Sequence, residues 1–470
     1  MKPTSLRQTD AAASTVIFMS LYMLEFSALL IGMAVYKKGD RSLLNFLVAP
    51  PGFVFLFAVL LLATSALVIV RRLRNGLPPS TKGLIAPLIL NLWSVGLILA
   101  TAEVVIRLFT VGTPAGQMFA STPMLPRSWE SVAALNRTIL AKASAQGSYF
   151  VYDNLLGWTV GRSRRSESGL YLSSAEGIRS PRTGMTFASV HPKRRIAIVG
   201  DSFTFGLEIP YEDTWGYKLE QGLGSGFQVL NFGVDGYGVD QAYLRYQRDV
   251  RSWHPDIVIF GVINDDIRRA MGVYGFLTFP NAAMPFPKPR FVLRGGALEL
   301  LNTPLPTPDY LFAKESITQL PFIEYDQSFH PMEWQWRFYY HAYSVRFLLS
   351  RYPQWPVLGP HVSYDAMRSL NLELLRAFLR LAREAGSTPI VVYFPQRSDF
   401  KSDQTHEAKV GLERVAAEIL QSNGIPYIDM TPCVKQVSPA ERYVKIHYSP
   451  VANAAIAKCL VNSIGEAPRG

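Results

Sequence analysis

Cysteine is nearly absent from this 470-residue chain: Cys433 and Cys459 are its only two. No Cys-x-x-Cys pair and no Cys/His cluster at zinc spacing can be built from them, which argues against a structural zinc site and a dithiol redox motif. The two could form a disulfide in an oxidising compartment, or stand as buried thiols, and both readings stay open. Charge is also scarce. Only 18% of residues are Asp, Glu, Lys or Arg, against 49% hydrophobic, a low charged share for a globular protein. The formal balance is +11, yet no run of Lys and Arg interleaved with aromatics accompanies it, so nucleic-acid binding is not expected. A basic surface suits an acidic glycan or anionic lipid better. Acids and histidines do not gather at ligand spacing, so neither a metal nor another cofactor is expected. Internal repeats and low-complexity tracts are missing too.

What the chain does have is long apolar runs, concentrated before residue 110. Residues 15–36, 52–70 and 84–106 are each long and apolar enough to cross a bilayer as a helix. One cleaved signal peptide would give a single shorter run. Lys2 and Arg7 at the start, and Arg71, Arg72, Arg74 and Lys82 after the second run, belong inside by the positive-inside rule, although Lys37, Lys38 and Arg41 then fall outside. The expected organisation is a membrane anchor of three transmembrane helices over 1–110 and a linker with one short helix over 111–150. An extracytoplasmic, periplasmic domain at the inner membrane follows over 151–465. Glu25 and Glu103 lie in or near the apolar runs. Without a second charge to form a relay, Glu103 is expected to reach the membrane interface and Glu25 to face a neighbouring helix.

Beyond the linker, residues 149–182 are rich in turn formers and read as a lead-in wrapped on the main domain. Short apolar runs at 195–199, 227–231, 256–261, 389–394 and 425–429 then read as buried parallel strands. Helical patterns lie between them at 214–221, 240–252, 366–385 and 407–422, and a last helix follows Pro450. Strands alternating with helices predict a parallel sheet covered on both faces, with its site at the strands' carboxyl ends. Residues 270–360 interrupt the rhythm as an insertion, with a hairpin turning at Gly295-Gly296. A helix carrying Trp334, Trp336, Phe338, Tyr339 and Tyr340 follows; its aromatics could stack on a sugar, but Trp336 and Tyr340, four apart on one face, favour a packed core stripe.

Four segments carry chemistry, each after a strand. Gly200-Asp201-Ser202 opens the first: a serine at a strand-to-helix turn presents its hydroxyl and backbone N–H into one space, although any helix-capping serine would look similar. Gly236, in Asn231-Phe-Gly-Val-Asp-Gly-Tyr-Gly238, permits close backbone approach to a developing oxyanion; an ordinary turn would read the same way. Asn264 offers a side-chain N–H₂ donor to that oxyanion, or caps the next helix. His447, in His-Tyr-Ser-Pro450, can take the serine proton and return it to a leaving group. A lone histidine is more often structural, so the set is what counts.

In this order the four blocks resemble the SGNH/GDSL hydrolase superfamily over about residues 153–461, and most closely its bacterial members near polysaccharide and lipid acylation systems. The resemblance implies a three-layer α/β/α, flavodoxin-like domain. Its catalytic residues would be Ser202 and His447, and its oxyanion hole Ser202, Gly236 and Asn264. The family also carries an Asp two or three residues before the histidine. Here Lys445 and Val444 stand at those positions. Asp429 or Glu441 is the candidate substitute, a backbone carbonyl could orient the ring instead, or hydrolysis has been lost. Loss of an orienting Asp can cost about 10⁴ in rate and still leave residual catalysis.

The activity implied is that of a membrane-anchored serine esterase removing an O-acyl group, acetyl above all, from an envelope glycan or lipid-linked sugar. An acyltransferase would use the same residues. A non-catalytic subunit of a polysaccharide system, docked on a membrane acyltransferase or export partner, is the rival class.

Overall fold

A computed structural model describes residues 56–57, 59–60, 62–67, 70, 82–113, 116–279, 284–351, 364–400 and 415–465. The chain divides into two compact units, residues 1–131 with 331–359, and residues 132–330 with 360–470.

The expected first membrane span, with Glu25, lies outside the described residues, as does part of the second. The third falls on the helix Lys82–Phe109. Among the described residues no helix is long and apolar enough to cross a membrane. That finding overturns the expected three transmembrane helices and the multi-pass inner-membrane location drawn from them. The end of Lys82–Phe109 is anchored instead to polypeptide of its own unit. Glu103 accepts the Tyr343 N–H at 2.8 Å, the Ser344 N–H at 2.8 Å and the Ser344 hydroxyl at 2.9 Å. It thereby caps the unpaired first turn of the helix Tyr343–Arg351. Burial acts to raise its carboxyl, but these bonds and Arg107 outweigh it and bring the pKa down to about 2.

The stretch read as a linker is more ordered than expected. Thr110–Thr113, Gly116–Phe119 and Thr122–Pro123 form an antiparallel three-stranded sheet, and Trp129–Gln146 is an 18-residue helix. Ile106, Phe119, Met124 and Phe347 close a small core in the first unit. The expected aromatic helix is absent: Phe338–His341 is a single 3₁₀ turn. Tyr340 is buried there and Trp336 meets it edge to face, ring centroids 6.0 Å apart, but Trp336 is 56% and Phe338 83% exposed, so the contact is at the surface rather than a core stripe.

The second unit carries the α/β pattern. Its strands are β1 (Arg194–Val199), β2 (Phe227–Asn231), β3 (Ile257–Val262), β4 (Thr388–Tyr393) and β5 (Tyr427–Asp429). They pair in parallel in the order β2-β1-β3-β4-β5. This is the flavodoxin-like order, with its switch point between β1 and β3. The helices are α1 (Trp215–Leu223), α2 (Val239–Arg245), α3 (Asn264–Arg269), α4 (Tyr364–Glu384), α5 (Val415–Ser422) and α6 (Pro450–Gly465).

Alternation along the strands makes three layers, because successive side chains leave opposite faces. Ala197, Val199, Val258, Phe260 and Val391 join one core with Ala242, Leu374, Phe378 and Ile419. Ile196, Ile198, Ile257, Ile259 and Val392 join the other with Trp215, Leu219, Ile456 and Leu460. The hairpin at Gly295-Gly296 is present, Phe291–Arg294 against Ala297–Leu300. Both glycines have positive φ, +58° and +83°, as a two-residue hairpin turn of the primed type requires. Cys433 and Cys459 are joined in a disulfide.

Candidate active site

Ser202 opens a one-turn helix, Ser202–Phe205, directly after β1, with Asp201 as its cap accepting the Phe203 N–H. The left-handed Gly206 closes the turn. The hydroxyl is therefore held at the carboxyl edge of the sheet, beside the switch point. His447 arrives from the far end of the chain, on a narrow hairpin where Tyr443 bridges Tyr448 and the Val444 N–H donates to the His447 carbonyl. Tyr448 and Tyr443 both donate their hydroxyls to the Pro395 carbonyl, and Phe203 lies against the imidazole at 4.9 Å. The outcome is a 2.8 Å contact between His447 Nε2 and Ser202 Oγ. The serine hydroxyl is also 3.3 Å from Asp201 Oδ2.

On the other side of the ring, Nδ1 lies 3.1 Å from Glu208 Oε1, although the alignment falls short of a straight hydrogen bond. The sequence reading missed Glu208. Its carboxylate also accepts the Lys445 N–H at 2.8 Å, the Ile446 N–H at 3.2 Å and the His447 N–H at 3.3 Å. Burial acts to raise its pKa, but the Lys445 amide, the His447 side chain and the other amides outweigh it and hold it below the usual carboxylate value. The two acids expected from the sequence are engaged elsewhere. Asp429 accepts the Thr431 N–H at 2.7 Å, and Glu441 accepts the Ser438 hydroxyl at 2.6 Å.

Gly236 lies after β2 with φ +77°, a conformation that admits glycine readily. A side chain there would crowd Phe279 and Met284. Asn264 opens α3 after β3, but its amide is occupied. Its N–H₂ donates to Tyr393 Oη at 3.0 Å and Asp399 Oδ1 at 3.1 Å, while its oxygen accepts the Ala416 N–H. The Asn264 side chain thus stands with another network, rather than open toward an oxyanion.

A set of acids surrounds the pair. Asp201 and Asp266 share Arg269 Nη1, at 3.2 and 2.9 Å. Burial, then the facing Asp201, pushes the Asp266 carboxyl well up. Burial also raises Asp235, against the pull of Arg269 and His447. Asp235 is held by its carbonyl, which accepts the Trp158 indole N–H at 2.8 Å. Nothing in the sequence motifs pointed to it, although it precedes Gly236 directly.

No family model matches the chain, and no curated protein matches it. Among solved structures it is similar to TesA, at 10% identity over 58% of this chain and 98% of the other, with a TM-score of 0.32. It is also similar to LAE5, an α/β hydrolase enzyme from the metagenome of Lake Arreo, at 13% identity over 59% and 97%, TM-score 0.32. A further similarity is to Axe2, an acetylxylan esterase from Geobacillus stearothermophilus, at 13% identity over 59% and 96%, TM-score 0.31.

Proposed function

We propose that this chain is an SGNH-type serine hydrolase that removes an O-acyl group, acetyl in the first instance, from an acylated carbohydrate through an acyl-serine intermediate. The observation that carries the reading is the 2.8 Å contact between Ser202 Oγ and His447 Nε2 at the sheet's carboxyl edge. The reaction needs the tautomer with a proton on Nδ1 and a lone pair on Nε2. Nε2 takes the Ser202 proton as Oγ attacks the ester carbonyl, and the carbonyl electron pair moves onto oxygen. The backbone N–H groups of Ser202 and Gly236 stabilise that oxyanion. Asn264 joins them only after its amide releases Tyr393 or Asp399. The imidazolium then protonates the departing sugar oxygen as the C–O bond breaks. Water, deprotonated by His447, attacks the acyl-serine, and the serine leaves with its proton restored. A sugar hydroxyl in place of water gives acyl transfer with the same residues.

A second reading, a binding or scaffold component, draws support from the occupied Asn264 amide and from Ser202 being only 2% exposed. A fluorophosphonate probe and p-nitrophenyl acetate, tested on the full chain and on Ser202→Ala, separate the two. Labelling and turnover lost in Ser202→Ala support the hydrolase. Neither in the wild-type chain overturns it in favour of the scaffold. Acetylated xylo-oligosaccharide against p-nitrophenyl octanoate then tests the substrate class, and an added sugar acceptor distinguishes transfer from hydrolysis.

A further inference from the structure

We infer that Glu208 is the positioning acid for His447, taking the place of the Asp missing before the histidine, and that buried Arg179 builds the turn presenting it. The inference rests on the hydrolase reading for its catalytic meaning, and its geometry stands by itself. A carboxylate beside Nδ1 does two things: it selects the tautomer whose Nε2 faces the serine, and it stabilises the imidazolium formed during attack. Glu208 is the acid whose carboxylate lies 3.1 Å from Nδ1. It also gathers the N–H groups of Lys445, Ile446 and His447, so one side chain orients the ring and grips the hairpin carrying it.

The turn that presents Glu208 is held from below. Glu208 has φ +72°, a left-handed conformation unfavourable for a residue with a side chain, so it persists only where its surroundings impose it. Arg179, fully buried, imposes it by donating to the carbonyls of Phe205 at 2.6 Å, Gly206, and Ile209 at 2.5 Å. Its guanidinium lies over the rings of Phe205 and Tyr171, and the Tyr171 hydroxyl accepts the Glu208 N–H at 2.9 Å. The lead-in segment thus reaches the chemistry through the chain Arg179, Glu208, His447, Ser202.

Asp201 touches Ser202 Oγ, on the opposite side of the imidazole from Glu208. Asp235 acts on His447 through charge, and Arg269 pairs with Asp201. Lys445 and Arg442 are the cations on the histidine's own hairpin, and Arg397 donates to the Lys445 carbonyl. All of these stay constant when Glu208 alone is changed. Without its carboxylate the imidazolium loses a partner and His447 titrates at lower pH.

The test follows His447 by NMR in full-length protein with labelled histidine, assigned with His447→Asn. Wild type, Glu208→Gln and Glu208→Asp are compared. The expected result is a His447 titration midpoint lower in Glu208→Gln than in wild type, with partial return in Glu208→Asp. On p-nitrophenyl acetate, kcat falls by about 10² to 10⁴ in Glu208→Gln while KM changes less than about twofold. The acid limb of its pH–rate profile moves down with the NMR value. Arg179→Lys, measured the same way, is expected to fall between wild type and Glu208→Gln.

Identical His447 titration in wild type and both Glu208 variants overturns the inference. A protein that neither labels nor hydrolyses sinks the hydrolase reading alone, because the titration still decides whether Glu208 holds the ring. If Glu208→Gln fails to fold, Glu208→Asp and Arg179→Lys carry the same titration.

Discussion

Asn453 accepts the Trp215 backbone N–H at 2.9 Å across 238 residues of sequence, joining the start of α6 to the start of α1. Its amide nitrogen donates to the Tyr448 and Ser449 carbonyls beside the histidine. One fully buried carboxamide therefore fixes His447's hairpin to the helix that follows the nucleophile's turn. Asn453→Ala takes the side-chain partner from two buried backbone groups, the Trp215 N–H and the Tyr448 carbonyl, while the Ser449 carbonyl keeps the backbone N–H of residue 453. The expected loss is about 2–4 kcal/mol, read from denaturant unfolding, with a fall in kcat. Unchanged stability would show that water replaces the amide.

The insertion is tied down by charge. Lys288 and Asp240 meet at 2.5 Å with 1% and 0% side-chain exposure. Lys288→Met alone strands a buried carboxylate and is expected to cost about 3–5 kcal/mol, whereas Lys288→Met with Asp240→Leu recovers much of that. A double variant no better than the single one would mean that the Lys288 bonds to the Gly272 and Pro289 carbonyls dominate.

Glu103 gives a pH prediction. Its folded pKa, about 2, lies below the usual glutamate value of 4.5, so the stabilisation is present above about 4.5 and is lost as pH falls through about 2. Glu103→Gln should lower the melting temperature of the unit at neutral pH, by a cap's worth of about 1 kcal/mol. The gap to wild type should then close on acidification. A gap that persists at pH 2 would deny the charge its role.

Reduction of Cys433–Cys459, 26 residues apart, opens a covalent ring that contains His447 but not Ser202. The entropic estimate for such a ring is about 3 kcal/mol. Dithiothreitol should lower the melting temperature, and limited proteolysis should show cleavage within 433–459 before any cut near Ser202. Cleavage starting elsewhere would refute that order.

The strands were legible because each is a short apolar run ending in turn residues, and all five lie within two residues of their expected bounds. Ser202 was legible because its block sits at the end of β1, and His447 because its block falls between the last strand and the last helix. Glu208 was not, because nothing in its spacing announces a partner 239 residues away; its role is created by the positive-φ turn and by Arg179. Only its place just after the nucleophile's turn could have raised it. The bonds from the Asn264 amide to Tyr393 and Asp399 were not legible, because their approach depends on how β4 sits beside β3. The aromatic stretch at 334–340 carries a helical spacing, but its 3₁₀ turn leaves Phe338 exposed. The apolar runs before residue 110 read as membrane spans from composition, whereas Glu103 and Arg107 bind neighbouring polypeptide.

Ser202 and Glu208 share one short turn, with the histidine alone arriving from a distance. Two of the three groups thus lie on one continuous stretch of seven residues, Ser202 to Glu208. A chimera that replaces the C-terminal hairpin needs to bring only an imidazole and three outward amide N–H groups. Families defined by an acid just ahead of the histidine would pass over such a chain, since its acid travels with the nucleophile.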